Sequence, residues 1–391
     1  MIRVAFLPDD WSAEWTTGRD GLRDLLRAIL SLPERRIEPV LFVAPDAPDP
    51  MPAGLAPIET VRTPLLDASS SWWRLARSLP QRLLGHDKLL EGLLREHRID
   101  VLSHAELAGG ADTLPTIGWI PDFQHRRVPQ FFSTAEIAAR NEACKRIAGQ
   151  SRIVLLNSRD ALHDFARQCP DALAKGRVLH PVVAASDDAA ADVDEAELRQ
   201  RLDLRQPFFH LPNPFWAHKN HRIVLEALAL LKQQGRPALV VCTDDGENGN
   251  EPRQPEHLAG LIRYADKLGV ADRFRVPGGL PRGQRRALMR HALAVINPST
   301  FDGWSVAVEA AKSLGLSVIL SDTPVHREQA PDRAHWFDPE SAAQLATAMA
   351  GVCDAWSAAD EREQRRRARQ QMPQRLRAFG ADYQAIVLDL V

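Results

Sequence analysis

Short apolar runs alternate with amphipathic helical patterns along both halves of the chain. Apolar runs of this length, bounded by Pro, Gly or polar residues, predict buried strands. They fall at residues 3–7, 38–43, 101–103, 116–120 and 153–157, and again at 208–211, 239–242, 274–276, 293–296 and 317–320. Regular alternation of strand and helix predicts an α/β chain with two doubly wound sheets of parallel strands. Ligands are then expected in a cleft between two domains.

Composition divides the chain between the two sets of strands. Residues 186–197 carry six acidic side chains and no basic one, which is typical of a solvated linker. We therefore expect an N-terminal domain at 1–182, a linker at 183–200 and a second domain at 201–370. Pro373 is expected to break or kink the basic helical stretch near the end of the chain.

The overall composition narrows the class of protein. The 391 residues carry a formal net charge of −2, which argues against nucleic acid as a partner. Four cysteines without metal-ligand or redox spacing favour a reducing compartment. The first apolar run stops at Pro8 and Asp9, so it predicts a strand rather than a signal peptide, and no apolar run approaches the ~20 residues of a membrane span. A cytoplasmic protein is expected.

Two polar segments at strand ends carry the candidate chemistry. In the first, the strand at 208–211 leads into PNPFWAHKNH, and a helix with one apolar face follows to about Gln234. Lys219 then stands at the start of that helix, where a cation and unpaired N–H groups together attract an anion, and Asn220 is placed to cap it. A surface lysine beside a helix start is the plain alternative.

The second segment, 297–329, predicts a strand, a loop, a helix and another strand. Asp302 and Gly303 lie in the loop, Glu309 lies inside the helix, and Gly315 is placed to end that helix. Free N–H groups at such a helix start favour phosphates, and carboxylates suit hydroxyl groups. The pattern indicates a nucleotide sugar as ligand. Two solvated surface acids on an ordinary crossover are the alternative.

These segments resemble a known family. LPNPFWAHKNH, FDGWSVAVEAAKSLGLSVILSD and PVHREQ are similar to the donor half of family-four glycosyltransferases, the retaining, group 1 type with the GT-B fold. WIPDFQH followed by PQFF resembles an acceptor-side motif of one branch of that family. The resemblance implies two Rossmann-like domains facing a deep cleft, with a terminal helix at 371–391 returning to the first domain. It also implies transfer of a hexose from a nucleoside diphosphate sugar.

The resemblance assigns roles to the donor-side residues. Lys219 is expected to ion-pair with the donor diphosphate and to stabilise the leaving group. Glu309 resembles the family carboxylate that takes the ribose hydroxyls, and Asp302 resembles its partner near the transferred sugar, although their spacing is one residue shorter than usual and Asp replaces Glu. The remaining donor-binding candidates are the backbone around Gly303, Trp304 and Ser305, the adjacent Val306, and Asn213 in the place of a phosphate-binding Arg.

The acceptor-side candidates follow the strands of the first domain. Asp122 and His125 are expected to face the cleft as catalytic-site residues, with His125 either moving a proton or orienting the acceptor. A surface histidine in a loop is the alternative for His125. Family members carry a Gly-rich loop after the first strand, and Gly18 and Arg19 are the candidates here for that acceptor or diphosphate loop.

Other classes of enzyme lack their sequence signatures. The chain has neither the G-x-G-x-x-G of dinucleotide-binding enzymes nor the phosphate-binding loop G-x-x-x-x-G-K-[ST]. The pair Asp192 and Asp194 lies inside the acidic segment and is interpreted as composition. We therefore expect no metal and no cofactor, with Lys219 and the helix dipoles neutralising the diphosphate.

The expected partners are a nucleotide-sugar donor, with GDP-mannose as the predicted one, and a glycan or lipid-linked acceptor of lipopolysaccharide or exopolysaccharide biosynthesis. Trp72 and Trp73, together with arginines of the stretch 69–98, predict weak peripheral contact with the inner face of the cytoplasmic membrane, or packing in the first core. A nucleotide-sugar epimerase and a non-catalytic nucleotide-sugar-binding subunit are the alternative functions.

Overall fold

The chain forms two compact units. The computed structural model describes residues 1–8, 16–47, 57–67, 87–105, 114–184, 193–244 and 254–391, leaving out the side chains of 16–20, 195 and 254. The first unit comprises Met1–Val182 and Pro373–Val391, and the second comprises Val183–Met372. Each unit contains a parallel sheet, which confirms the predicted α/β class with two doubly wound sheets.

The first unit contains a seven-stranded parallel sheet. Its strands are β1 (Ile2–Phe6), β2 (Ile37–Val43), β3 (Glu59–Arg62), β4 (Val101–Ser103), β5 (Thr116–Ile120), β6 (Ile153–Leu156) and β7 (Gly176–Val178). Their order is β3-β2-β1-β4-β5-β6-β7, so the chain changes direction across the sheet between β1 and β4.

The second unit contains a six-stranded parallel sheet. Its strands are β8 (Phe209–Leu211), β9 (Val240–Cys242), β10 (Phe274–Arg275), β11 (Val295–Asn297), β12 (Val318–Ser321) and β13 (Ala334–Phe337). Their order is β10-β9-β8-β11-β12-β13. The chain runs from β8 to β9 and β10 on one side, then returns to β11 on the other side. The point where the order reverses therefore lies between β8 and β11.

Helices connect these strands. In the described part of the chain they are α1 (Thr16–Leu30), α2 (Lys88–Glu96), α3 (Gln124–Arg127), α4 (Thr134–Gln150), α5 (Arg159–Gln168), α6 (Glu195–Arg201), α7 (His221–Gln233), α8 (Gln254–Leu268), α9 (Arg282–His291), α10 (Val306–Leu314), α11 (Pro324–Gln329), α12 (Ala342–Ala355) and α13 (Ala358–Leu388). Among the residues with described positions, no helix combines the length and apolar character that a bilayer span requires.

The apolar face predicted for α7 forms part of the core of the second unit. Val224, Leu228 and Leu231 are at most 1% exposed and belong to the cluster that includes residues of β8 and β9. Gly235 follows with φ +70°, the left-handed conformation that commonly ends a helix. Burial of these side chains fixes where α7 starts, and hence where Lys219 stands.

Three strands absent from the predicted set lie at sheet edges. They are β3, β7 and β13, and their side chains are mostly half-buried or exposed. The sequence of β3 is Glu-Thr-Val-Arg, and β7 is Gly-Arg-Val. Edge strands need no continuous apolar run because one side faces solvent, so the apolar pattern that revealed the central strands could not reveal these.

Helix α13 differs from the predicted terminal helix. It begins at Ala358 and continues to Leu388 with Pro373 inside it, so Pro373 does not break the helix, and the alternative expectation of a kink stays a prediction. The helix belongs to the second unit up to Met372 and to the first unit from Pro373. In the first unit its Tyr383 is fully buried and donates a hydrogen bond to Ser103 Oγ at 2.7 Å.

Candidate functional site

The predicted donor residues converge where the strand order of the second sheet reverses. The loop after β8 carries Asn213 and Lys219, and the loop after β11 carries Asp302 and Ser305. Parallel α/β sheets bind ligands outside the carboxyl ends of their strands at such a reversal. The two loops are joined directly, because the Thr300 N–H donates to the His218 carbonyl at 2.9 Å.

A buried ion pair forms the centre of this site. Lys219 Nζ lies 2.6 Å from Asp302 Oδ1, and both residues are 9% exposed. The two residues that the sequence assigned to the diphosphate and to the sugar are therefore each other's partner in this ligand-free structure. Burial would raise the pKa of Asp302, but the Lys219 ammonium, joined by His326 when that ring carries a proton on Nε2, holds that pKa well below its usual range.

Two neighbouring histidines contribute no positive charge. Burial lowers the pKa of His218 and His221 to about 3. Both imidazoles are therefore neutral near pH 7. Lys219 accordingly supplies the ammonium charge between these rings and Asp302, which makes it the group that an anionic ligand meets in the loop after β8.

Asn297 links the two loops below the ion pair. Its Nδ2 donates to Asp302 Oδ2 at 2.9 Å and to Ser305 Oγ at 2.8 Å. Its Oδ1 accepts from Asn213 Nδ2 at 2.9 Å and from Ser299 Oγ at 2.6 Å. Asn213 is thus committed to another side chain, and its predicted contact with phosphate stays a prediction. Asn297 itself is fully buried and orients both Asp302 and the start of α10.

The N-terminus of α10 is partly occupied by protein groups. Ser305 is the N-cap, and its Oγ accepts from the Val308 N–H at 3.3 Å. The Ser305 N–H donates to Gln329 Oε1 at 3.2 Å, so it is not available as the predicted phosphate donor in this structure. Val306 opens the helix and is 40% exposed. Its N–H and that of Ala307 are the first two of the helix and point out of its positive end.

Glu309 lies inside α10 and is only 1% exposed. Lys312 Nζ donates to its Oε1 at 3.0 Å, and Gln329 Nε2 approaches the same oxygen at 3.4 Å. Gln329 also accepts from Ser305 and donates to the Ser305 carbonyl at 3.0 Å. The second predicted carboxylate is therefore enclosed by protein partners, whereas Gly303 and Trp304 lie half-buried in the loop between Asp302 and the helix.

Asn220 differs from its predicted role. It is the N-cap residue of α7 but has φ 55°, and its side chain makes no capping hydrogen bond. Its Nδ2 instead donates to the Pro339 carbonyl at 2.9 Å. The left-handed backbone, which Asn tolerates better than most residues, turns the chain sharply between Lys219 and the helix.

The acceptor-side candidates lie in the first unit, directly after β5. His125 belongs to the short helix α3 and is 2% exposed, so a surface loop histidine is excluded. Its Nε2 lies 3.1 Å from Asn141 Oδ1, an oxygen that also accepts from Gln168. Burial lowers the pKa of His125, although the Asn141 contact opposes the shift, so the imidazole is neutral near pH 7. Asp122 is half-buried and accepts the Gln124 N–H at 2.9 Å.

Several predicted features are placed elsewhere or fall outside the described residues. Gly18 and Arg19 lie in the first turn of α1, which begins at Thr16, and not in the loop before it. Asp194 caps α6, accepting from the Ala196 N–H at 2.8 Å, while Asp192 lies outside the described residues. Trp72, Trp73 and the rest of the membrane-contact candidate up to residue 86 also lie outside them.

Among the residues that the structure describes, no group of three or more His, Cys, Asp or Glu side chains is arranged to hold a metal ion.

The second unit contains an open cavity of about 680 Å³. It lies beside β9, β10 and the segment that follows β10. Its polar lining is Arg201, Asp203, Arg275 and Gln284, and its apolar lining includes Val241, Val276 and Leu280.

Sequence reasoning missed Asn297, His326 and Gln329 as site residues. Each is at most 2% exposed and contacts Asp302, Ser305 or Glu309 through its side chain. A signal for Asn297 was available, because a polar residue directly after an apolar strand is typical of a ligand site at the strand end. For His326 and Gln329 the signal was their place in PVHREQ, which resembles the donor half of the family, but their contacts depend on how α11 folds back on α10.

Known proteins resemble this chain in sequence over its second unit and in fold throughout. Residues 194–374 match the family described as glycosyl transferases group 1. Among curated protein sequences no match is found. The structure is similar to Anabaena Alr3699/HepE in complex with UDP and glucose, with a TM-score of 0.64 and 15% identity over 100% of both chains.

Two further solved structures share the fold. One is sucrose-phosphate synthase from Thermosynechococcus elongatus, with a TM-score of 0.60 and 14% identity over 100% of this chain and 95% of that chain. The other is WaaG, a glycosyltransferase involved in lipopolysaccharide biosynthesis, with a TM-score of 0.54 and 15% identity over 99% of both chains. At these identities the likeness establishes the GT-B fold.

Proposed function

We propose that this chain, which has the GT-B fold and matches glycosyl transferases group 1 over residues 194–374, transfers a hexose from a nucleoside diphosphate sugar to a glycan acceptor. One observation carries the proposal: a buried ammonium group, Lys219, stands at the strand-order reversal of the second sheet and pairs with Asp302, which lies three residues ahead of Ser305, the cap of α10. A buried cation beside a helix N-terminus is the arrangement that a diphosphate requires.

Donor binding in this proposal exchanges one ion pair for another. Without ligand, Asp302 neutralises Lys219 at 2.6 Å. A diphosphate brings two negative charges, so it competes for Lys219 and also meets the outward N–H groups of Val306 and Ala307. Lys219 then stabilises the charge that grows on the leaving diphosphate as the glycosidic bond to the donor breaks. Asp302, released from Lys219, faces the transferred sugar.

The proposed chemistry uses no metal ion and no cofactor. Lys219 and the helix N-terminus neutralise the diphosphate in the place that a divalent cation takes in other transferases. We place the nucleoside in the cavity of about 680 Å³ beside β9 and β10, because its lining includes the segment that follows the carboxyl end of β10 and offers an apolar wall for a base. Glu309 reaches the ribose hydroxyls by exchanging its contacts with Lys312 and Gln329 for them.

The proposal extends to the identity of the sugar, the nucleotide and the acceptor. The resemblance favours GDP-mannose, whereas Alr3699/HepE binds UDP, so UDP-sugars enter the same test. A glycan or lipid-linked acceptor of lipopolysaccharide or exopolysaccharide biosynthesis is proposed, in line with the involvement of WaaG in lipopolysaccharide biosynthesis. Asp122 and His125 would orient that acceptor, since a neutral, buried His125 suits hydrogen bonding better than a change of charge. Transfer with retention of configuration is expected.

A panel of donors tests the proposal. GDP-mannose, UDP-glucose, UDP-N-acetylglucosamine and dTDP-rhamnose are titrated by calorimetry, each with magnesium and with a chelator. One donor should bind equally well under both conditions, and Lys219→Met should weaken that binding. Lys267→Met, at an exposed position of α8, is the matched control and should bind as wild type does. Binding that depends on magnesium, or that ignores Lys219, contradicts the proposed site.

A non-catalytic donor-binding subunit is the second candidate function. It is favoured because Asp302 and Glu309 are already bound to Lys219 and Lys312. The donor that binds is therefore incubated with glycan acceptors and analysed by mass spectrometry, and the anomeric configuration of any product is read by NMR. Sugar transfer supports the enzyme, and binding without turnover supports the subunit. Consumption of donor without acceptor supports an epimerase instead.

A further inference from the structure

His326 is a fully buried histidine that faces the central ion pair. It lies on α11 and is 0% exposed. Its Nδ1 is 2.9 Å from the Ser321 carbonyl oxygen. A carbonyl oxygen can only accept, so Nδ1 carries a hydrogen atom. This fixes the ring and leaves Nε2 as the atom that faces Asp302.

Nε2 lies 3.5 Å from Asp302 Oδ2 and makes no hydrogen bond to any other described group. In a neutral ring with its hydrogen on Nδ1, a bare lone pair on Nε2 faces a carboxylate oxygen, which is repulsive. A proton on Nε2 turns this contact into an attraction. While Lys219 binds Oδ1 and Asn297 binds Oδ2, the carboxylate is already compensated.

We infer that His326 is a positioning residue: when the donor diphosphate draws Lys219 away, His326 takes up a proton on Nε2 and becomes the cationic partner of Asp302. The inference rests on the proposed donor site. Without such a replacement, Asp302 would stay buried with an unpaired charge, which is costly. The charge balance is closed, since Lys219 moves to the diphosphate and one proton from solvent restores the partner of Asp302.

The surroundings of His326 leave few other charges to respond. Asp302 faces Nε2 from the loop after β11, and Lys219 stands beyond it on the other carboxylate oxygen. On the Nδ1 side, β12 presents the neutral Ser321. Within α11, Arg327 pairs at the surface with Asp322, at 2.6 Å. The proton taken up on donor binding is therefore assigned to Nε2 of His326, the atom that faces Asp302.

Calorimetry in two buffers of different ionisation enthalpy tests this inference at pH 7.5, with the donor that wild type binds best. Wild type should take up protons on binding, up to one per donor. His326→Asn keeps a donor toward the Ser321 carbonyl but has no atom near Asp302, and His326→Gln places a neutral amide near Asp302. Both variants should take up none, and His326→Asn should raise the donor Kd and KM about tenfold with little change in kcat, because a charge-assisted contact is lost.

His335→Gln, on the edge strand β13, is the matched control and should keep the wild-type proton uptake and KM. A purely structural role for His326 would lower the folded fraction, and so the apparent kcat, without changing KM or the proton count. Unchanged proton uptake in His326→Asn that folds and binds donor overturns the inference. If wild type binds no nucleotide sugar, the proposed function fails, and the two failures are thus distinguishable.

Discussion

Replacing Asp302 by Asn should destabilise the second unit strongly while tightening its grip on a free nucleoside diphosphate. The side chains of Lys219 and Asp302 are 11% and 10% exposed. Removing one partner of a buried ion pair leaves the other charge uncompensated, which costs about 3–5 kcal/mol. For a unit of about 150–250 residues, each kcal/mol corresponds to about 2–4 °C, so the melting temperature should fall by roughly 6–20 °C.

A double-mutant cycle separates the energy of the ion pair from that of simple packing. Lys219→Met removes the charge but keeps an apolar stem, and the double variant with Asp302→Asn should recover much of the lost stability. Isothermal denaturation of the four proteins gives the coupling energy directly. A coupling energy below about 0.5 kcal/mol would refute the reasoning, since residues in contact in one network normally exceed it.

The pH dependence of stability, compared between wild type and Asp302→Asn, tests the same ion pair. The pKa of Asp302 is depressed in the folded protein by Lys219 and His326, against the effect of burial. A depressed carboxyl pKa stabilises the fold above the unfolded pKa of about 3.9, and this contribution is lost as the pH falls further. Wild type should therefore lose about 1.4 kcal/mol per pH unit from this group below about pH 4, and Asp302→Asn should not.

Three further substitution experiments follow from the structure. Because Asp302→Asn frees Lys219 from its partner, UDP or GDP should bind this variant more tightly than wild type in calorimetry, and weaker binding would contradict the exchange of partners. Gly279→Trp should fill the cavity and raise the donor Kd at least tenfold, whereas Gly351→Trp, also in open space but on α12, should not. A Cβ at Gly380 would lie 2.5 Å from the Ala28 carbonyl oxygen, so Gly380→Ala should cost about 1–3 kcal/mol in thermal unfolding, and Gly92→Ala, with open space around it, should not destabilise.

The central part of the fold was predictable because burial on both faces leaves continuous apolar runs. Strands β4 and β5 have the predicted bounds, and the other predicted strands shift by one or two residues at one or both ends. The edge strands β3, β7 and β13 were missed because partial exposure removes that signal. The predicted break at Pro373 is absent for a different reason: a helix of 31 residues tolerates one missing hydrogen bond better than a short helix does.

The position of the candidate site could be predicted from the sequence, but the contacts between its side chains could not. Sequence reasoning placed Lys219 and Asp302 at the ends of β8 and β11, and the sheet order brings those ends together. It could not foresee that the two would pair with each other, because each was considered only against a ligand. Asn297 ends an apolar strand, and His326 and Gln329 lie in PVHREQ, but their contacts with Asp302, Ser305 and Glu309 are tertiary and no local pattern records them.

The pairing follows from a general constraint on charged ligand sites. A group that binds a diphosphate in a nearly buried position must also be stable when no ligand is present, and an uncompensated buried charge is too costly to keep. Lys219 meets this constraint with Asp302, so the affinity for a donor is the difference between two ion pairs and not the strength of one. A ligand with a single negative charge gains little from that exchange. In the proposed function a diphosphate, which offers two charges and also reaches the N-terminus of α10, is expected to gain enough to displace Asp302 and to leave the carboxylate facing the sugar.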